Sequence, residues 1–313
     1  MQNNRVMLLL GALLTFACVF FMTYHANGNW DFILPFRGKK LLLLLMMAYT
    51  IGISTLLFQT LTNNPILTPS ILGFDSLYLL VQSILVFLFG GIGFTQLNVA
   101  GKFAFETLLM LLGALLLFRT LSKNNSDLAR MILMGIIFGV LFRSVNNLLQ
   151  RMIDPNEFAV AQGSSFASFN TVNPTLLWIG TVITLVSALW IWQQRFKLDV
   201  LLLGRERAIG LGLEYHQFSR QLLICCAFLV SISTALVGPI LFLGLLVCAI
   251  VNAISPTMHH NIRIPMTFMV SAITLVSGQA IFEQVMKMQG VLSVVIEFVG
   301  GLVFIYLMLR RAK

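Results

Sequence analysis

Ten long apolar stretches run through this chain of 313 residues and restrict the folds open to it. Hydrophobic residues make up 58% of the chain and charged residues 10%, whereas soluble domains carry about 25% charged residues. A soluble fold of this size has too little interior to cover so much apolar surface. We therefore predict an all-α polytopic integral membrane protein, because in lipid a helix satisfies its own backbone hydrogen bonds.

A helix needs about 20 apolar residues to cross a bilayer, and we predict about ten spans. In chain order they are 7–24, 40–60, 71–91, 102–121, 130–149, 174–193, 219–237, 242–254, 265–284 and 291–309. The eighth has only 13 residues, so we expect a broken or tilted element buried in protein. Residues 1–313 are expected to form a single transmembrane domain.

The basic residues predict the orientation. With the N-terminus in the cytoplasm, thirteen of the 20 Lys and Arg residues fall on the cytoplasmic side and seven on the outer side. Because Lys and Arg favour the cytoplasmic side, we expect both termini inside, a charged cytoplasmic loop at 195–219, and an outer segment at 154–173 that contains a short surface helix. The net charge of +9 reflects this topology and does not indicate a nucleic-acid partner.

Three motifs carry the functional information. The first, 59–73, joins spans two and three and contains Pro65 and Pro69, which cannot continue a helix; alone it indicates a tight loop. The second, 203–213, lies in the charged loop and fits either a helix at the lipid surface or a docking surface for a cytoplasmic partner. The third, 237–247, begins with a Gly-Pro helix break and contains a further glycine that permits close backbone approach.

Several kinds of chemistry are not supported. The chain has no phosphate-binding loop, so the use of ATP requires a partner subunit, and we predict no catalytic residues. The four cysteines lie in apolar stretches and are interpreted as small buried side chains. His259 and His260 are adjacent, point apart on a helix and have no Cys or carboxylate near them in sequence, so we predict no metal site and no cofactor.

Charged residues within the predicted spans leave a second function open. Glu106, Arg143 and Glu297 fall inside apolar stretches, where an ionisable side chain is costly and is a functional candidate by default. They suit an ion- or proton-coupled secondary transporter. Against this alternative, these charges are few, and the charged loop at 195–219 has no role in such a mechanism.

Taken together and in order, the motifs resemble the permease subunits of bacterial iron–siderophore, haem and cobalamin importers of the ATP-binding-cassette (ABC) class. The resemblance covers nearly the whole chain and extends to Gly300, Phe304, Leu307 and a basic tail. Among the subgroups, it is strongest to permeases for catecholate, enterobactin-type siderophores.

The resemblance implies a fold, an activity and partners. The fold would be that of a type II ABC importer permease in the bacterial inner (cytoplasmic) membrane. The chain would pair with a second, related permease, with a dimer of ATP-binding subunits below and a periplasmic siderophore-binding protein above. A ferric siderophore would pass between the permeases into the cytoplasm, with the energy supplied by the partner ATPases.

Candidate site residues follow in three groups. Coupling to the ATPase is expected at Gly204, Arg205, Glu206, Ala208, Leu211 and Gly212, with Leu203, Ala208, Ile209 and Leu211 as its apolar face. Docking of the binding protein is expected at Arg37, Lys40 and Lys287. Candidates for the translocation path are Glu297, Arg143 and Gln162.

The chain also departs from the family pattern. Cys248, Ala249 and Asn252 stand where the family has Pro, His and Arg; Gln162 replaces a usual Trp; and Phe74 and Asp75 replace small residues. These positions concern the substrate and the lining of the path rather than the general role.

Overall fold

The computed structural model describes residues 2–24, 30–122, 128–163, 166–170, 173–255, 257–284 and 292–311. Across these ranges the α-helices are α1 (Gln2–Thr23), α2 (Trp30–Thr62), α3 (Phe74–Gln96), α4 (Val99–Ser122), α5 (Leu128–Met152), α6 (Pro155–Gly163), α7 (Pro174–Gln193), α8 (Arg195–Leu201), α9 (Arg205–Gly210), α10 (Tyr215–Val237), α11 (Leu243–Ile254), α12 (His260–Gln284) and α13 (Leu292–Arg311). The all-α prediction is confirmed.

Each predicted span coincides with one helix. Among the described residues, eight helices are long and apolar enough to cross a membrane, and α11 and α13 supply two shorter apolar helices. The predicted outer surface helix is α6. The start of the second span was predicted wrongly, because α2 begins ten residues earlier, at Trp30. Pro35 removes one backbone hydrogen bond without ending the helix, so the basic cluster at 37–40 lies within α2 rather than in a loop.

Helix α2 forms the centre of the bundle. Of its apolar window, 78% is buried, compared with 11% for α1 and 17% for α5. It packs against α7, α10, α11 and α12. A helix that is apolar on all sides can be covered on all sides, and α2 is such a helix because no charged residue follows Lys40 within it.

The first motif turns back into the bundle after α2. A 3₁₀ turn, Pro69–Leu72, is followed by Gly73, whose φ is 86°. A Cβ at Gly73 would lie 2.7 Å from the Cα of Gly139 on α5, and a Cβ at Gly135 would lie 2.9 Å from the Cα of Leu72. The turn can approach α5 this closely because glycines stand at the contact, Gly73 on the turn and Gly135 and Gly139 on α5.

A second break follows α10. Gly238 has a φ of 105°, and a Cβ there would lie 3.0 Å from the Cα of Ala167. The N–H of Ser168 donates to the carbonyl of Val237 at 2.8 Å, so the segment that follows α6 packs on this break. Helix α11 then begins beneath it, with Gly244 against Thr55 of α2. This arrangement confirms the short, buried element predicted for the eighth span.

Candidate functional site

The predicted coupling segment folds as two short helices, α8 and α9. Gly204 stands between them with a φ of 91°, and Gly212 follows α9 with a φ of 83°. Glycine is the residue that adopts such conformations without steric cost. The chain therefore turns sharply on both sides of α9 and leaves it as a separate helical turn.

Helix α9 has an exposed apolar face and a buried one. The side chains of Leu203, Ile209 and Leu211 are 47%, 49% and 64% exposed, whereas Ala208 is 0% exposed. The expectation that Ala208 shares the exposed face is wrong. One side of so short a helix must pack on the bundle, and the small side chain of Ala208 lets α9 lie close to α8 and α10.

Charged side chains surround the apolar face. Arg205, Glu206 and Arg207 are all exposed. The guanidinium of Arg205 lies 5.9 Å from the centre of the Tyr215 ring, and its Nη2 is 3.4 Å from Nε2 of His216. These contacts hold Arg205 towards the start of α10 and leave the other two charges facing outwards.

The first and second motifs meet in the structure. Asn63, at the end of α2, has a φ of 48°, and its Nδ2 lies 4.0 Å from where a Cβ on Gly204 would stand. The turn before α9 therefore rests beside the end of the central helix.

Helix α8 is tied to the bundle by a partly buried chain of hydrogen bonds. Oδ1 of Asp199 accepts from the backbone N–H of His260 at 2.8 Å and from its ring Nδ1 at 2.7 Å. The other ring nitrogen, Nε2, lies 2.8 Å from the hydroxyl of Thr60 on α2. His260 is 0% exposed. The contacts join α8 to the first turn of α12 and to the last turn of α2.

The electrostatics of this chain follow from its geometry. Burial of the Asp199 carboxylate opposes ionisation, but hydrogen bonds from His260 and His259 outweigh it and hold the pKa of Asp199 below its usual range. A carboxylate at the N-terminus of α12 also interacts favourably with the helix dipole. The ionised Asp199 accepts from Nδ1, which leaves Nε2 facing Thr60.

The roles of Asp199 and His260 are not apparent from the sequence, in which the two adjacent histidines were considered only as possible metal ligands. Within the described ranges, no group of three or more His, Cys, Asp or Glu side chains is arranged to hold an ion. The sequence shows an acidic residue in the predicted coupling loop and a histidine shortly before a predicted span. No local pattern indicates that these two residues, 61 positions apart, are in contact.

Near the start of α2, on the side predicted to face outwards, Arg37 binds the end of α1. Its Nη1 donates to the backbone carbonyls of Phe21, Met22 and Tyr24 at 3.1, 3.2 and 2.7 Å. These are C-terminal carbonyls that lack helical partners, and a basic side chain satisfies them well. Arg37 thus has a structural role independent of any docking.

Lys40 is buried rather than displayed. Its ammonium forms an ion pair with Glu283 of α12 and donates to Oδ1 of Asn170 at 2.7 Å, and its side chain is 7% exposed. The neighbouring Lys39 is the exposed member of the cluster. Lys287, the third predicted docking residue, lies outside the described residues.

Two of the three path candidates act electrostatically on a common residue. Arg143 on α5 and Glu297 on α13 both interact electrostatically with Asp75, the buried carboxylate at the start of α3. Gln162, the third candidate, has an exposed side chain near the end of α6, a different element.

Glu106, which the secondary-transporter alternative would use to carry ions or protons, lies on α4 and is 2% exposed. Nε2 of Gln82 donates to its Oε1 at 2.7 Å, and the Lys102 ammonium lies 3.7 Å from the same oxygen. It borders a cavity of about 290 Å³ between α4, α7 and α10. The carboxylate of Glu106 therefore has two partners within the bundle.

Comparisons with known proteins agree with this architecture. Residues 6–310 match the model of the FecCD transport family. The petrobactin import system permease protein YclO of Bacillus subtilis (strain 168) is 44% identical over 100% of this chain and 99% of its own length. FatC of Bacillus anthracis, also named as a petrobactin import system permease protein, is 35% identical over 88% of this chain and 78% of its own.

The fold also has a solved counterpart. A chain from an inward-facing structure of a candidate metal-chelate type ABC transporter superposes with a TM-score of 0.86 at 21% identity, covering 98% of this chain and 99% of that one. This similarity establishes the type II importer permease fold. With a family match that spans almost every residue, the chain belongs to the FecCD transport family.

Proposed function

We propose that this chain is a permease subunit of an ATP-driven importer that carries a ferric siderophore into the cytoplasm, and that the siderophore is petrobactin, of the catecholate type. The similarity to YclO, which extends over the full length of both chains, carries the proposal. Membership of the FecCD family argues against the secondary-transporter alternative. That alternative also leaves the charged segment 195–219 without a role.

The coupling surface is proposed at α9. Leu203, Ile209 and Leu211 offer an apolar patch bordered by charges, which suits a groove on a cytoplasmic ATPase. Ala208 supports the patch from below, and Gly204 and Gly212 provide the two turns that project it. Motion of the ATPase would reach α2 and α12 through Asp199 and His260.

We propose that the binding protein docks at the outer end of α2. Arg37 and Lys40 lie there, but both have partners within the chain, so the exposed Lys39 is the member best able to meet an acidic partner. Charges at the edge of a protein–protein interface act mainly on the association rate of the two proteins and on its salt dependence. Lys287 is included in this docking site on the sequence alone.

The proposed assembly has two permeases, this chain and a related one, enclosing a path bordered by Arg143, Glu297 and Gln162. Two ATPase subunits bind below, and both termini of the chain face the cytoplasm. The proposed location is the cytoplasmic (inner) membrane of a bacterium. The chain performs no covalent chemistry; it alternates the side to which the path opens.

Uptake of labelled ferric siderophores tests the proposal. A strain lacking this chain is complemented with it and given ⁵⁵Fe-labelled petrobactin, an enterobactin-type siderophore and a hydroxamate in parallel. Petrobactin uptake should be restored, and should stop when ATP is depleted while the proton gradient is maintained. Restoration of a different siderophore alone would refute the substrate, and uptake without ATP would favour the secondary transporter.

A further inference from the structure

We propose that a small cavity beside Asp75 is a binding site for one monovalent metal cation, sodium by size. The cavity has a volume of about 20 Å³ and lies where α2, α3 and α10 meet the two backbone breaks. A water-sized sphere needs about 10–15 Å³, so the space suits a single ion. The inference does not depend on the identity of the transported siderophore.

The carboxylate of Asp75 supplies the charge for this site. Asp75 is 7% exposed, and its Oδ2 is buried with no hydrogen-bond partner. Arg143 and Glu297 affect it electrostatically with opposite signs, and among the described residues no basic side chain forms an ion pair with it. Ser70 lies within hydrogen-bonding reach of the carboxylate, but a hydroxyl does not neutralise a buried charge, which is costly at membrane depth. A cation in the adjacent cavity would neutralise it.

The other lining groups are rich in oxygen acceptors. Hydroxyl-bearing residues around the cavity are Ser54, Thr55, Thr68, Ser70, Ser233 and Thr234. Three of these hydroxyls already donate their proton to a carbonyl of their own helix: Ser54 and Thr55 to Ile51 at 3.1 and 2.9 Å, and Ser233 to Val230 at 2.9 Å. Their oxygens keep lone pairs but have no proton left to give.

Because three of the six hydroxyls in the lining have no proton left to donate, the site favours a cation over water. A buried water molecule makes about three hydrogen bonds and needs acceptors and donors together, whereas a cation needs oxygen lone pairs alone. Hard oxygen ligands select alkali or alkaline-earth ions rather than transition metals. Among the described residues, Asp75 is the one carboxylate lining this cavity, so a monovalent ion neutralises it and a divalent ion leaves an excess positive charge.

The position also suits an ion. The 3₁₀ turn at Pro69 and the break at Gly238 both border the cavity, and interrupted helices in membrane proteins commonly coordinate Na⁺ with unwound backbone. A bound ion would hold α2, α3 and α10 together at the point where neither break is stabilised by regular helical hydrogen bonds.

Direct binding of ²²Na⁺ tests the site. The full chain is reconstituted with its partner subunits in lipid nanodiscs, and saturable ²²Na⁺ binding is measured with excess unlabelled NaCl as the blank. We expect Asp75→Asn to weaken binding at least ten-fold, and Glu106→Gln, which alters another buried carboxylate, to leave it unchanged. Thr234→Val, which keeps the shape and removes one oxygen, should weaken binding to a smaller degree.

The outcomes are distinct. Loss in Asp75→Asn together with retention in Glu106→Gln supports the site, and competition by KCl or CaCl₂ then ranks its selectivity. Equal binding by the wild type and Asp75→Asn overturns the proposal, as does an absence of saturable binding in the wild type. If Asp75→Asn fails to assemble, the Thr234→Val result decides in the same way, because unchanged ²²Na⁺ binding in that variant contradicts the site.

Discussion

The carboxylate of Asp199 holds His260 by two hydrogen bonds, one to the backbone N–H at 2.8 Å and one to ring Nδ1 at 2.7 Å. Asp199 belongs to the helix that precedes the proposed coupling turn, and His260 opens a helix of the bundle core. Because His260 also contacts Thr60 on the central helix, a displacement of α8 cannot leave α12 and α2 unaffected.

Breaking this contact should uncouple ATP hydrolysis from transport. We expect Asp199→Asn and His260→Gln to cut siderophore uptake at least ten-fold while the permease still co-purifies with the ATPase and hydrolyses ATP. A lost hydrogen bond to a buried charged group costs about 1–3 kcal/mol. His259→Gln is a graded control, since it removes only the longer contact to the same carboxylate, at 3.4 Å, from a side chain that is 71% exposed, and it should have a much smaller effect. Uptake as high in His260→Gln as in this control would contradict the role.

The same carboxylate predicts a pH dependence of stability. The fold lowers the pKa of Asp199, so its contribution is present above the ordinary value and is lost as the pH falls through the lowered pKa. The destabilisation caused by Asp199→Asn should therefore be fully present at pH 7 and shrink only under strongly acidic conditions. Thermal unfolding of both proteins across pH measures this difference, and a cost that vanishes near neutral pH would contradict it.

The two faces of α9 should respond differently to charge. Ile209→Glu combined with Leu211→Glu alters the exposed face, so the permease should reach the membrane in normal amounts and lose the ATPase on co-purification. Ala208→Glu places a carboxylate at a fully buried position, so it should lower the amount of folded permease itself. Normal ATPase binding by the exposed-face variant would mean that coupling occurs elsewhere.

The contact between Gly73 and Gly139 should tolerate no side chain. Gly73→Ala combines a positive φ with a Cβ that would lie 2.7 Å from backbone, and overpacking of this kind typically costs about 1–3 kcal/mol. We expect a clear fall in the thermal unfolding temperature of the purified permease. Gly11→Ala, where a Cβ meets nothing within 4 Å, is the control and should be neutral or slightly stabilising. Equal unfolding temperatures for the two variants would refute the close packing.

The buried pair of Lys40 and Glu283 should be mutually dependent. Lys40→Met leaves Glu283 without its cation, and loss of one partner of a buried ion pair costs about 3–5 kcal/mol. Adding Glu283→Gln should recover part of that stability. A Lys39→Glu variant keeps the pair intact and isolates the docking role, so it should weaken association with the binding protein at low salt without affecting unfolding.

The orientation can be tested with single cysteines in a background lacking the four native ones. Glu214→Cys lies before α10 on the predicted cytoplasmic side, and Asn156→Cys lies in α6 on the predicted outer side; both positions are exposed. An impermeant thiol reagent should label only the second in intact cells and both in opened membranes. The reverse pattern in intact cells would invert the topology.

The residue pattern alone was enough to predict the fold class and the order of the spans. An apolar segment in lipid has to satisfy its backbone within itself, so length and hydropathy identify helices without knowledge of their neighbours. Residues 174–193 were predicted as a span, and α7 has those bounds. Local chemistry also accounts for the turns around α9, because the glycines that permit them are adjacent to it in sequence.

Only the tertiary structure decided which side chains meet. The sequence predicted Lys40 as a docking charge, whereas in the structure it forms a buried ion pair with Glu283 of α12. Ala208 was predicted as part of the docking face, whereas in the structure it is buried. Asp75, Arg143 and Glu297 come from three separate helices. Sequence separation hides such pairs, because the burial and charge environment of a side chain depend on which helix faces pack together, and that is set by the whole bundle at once.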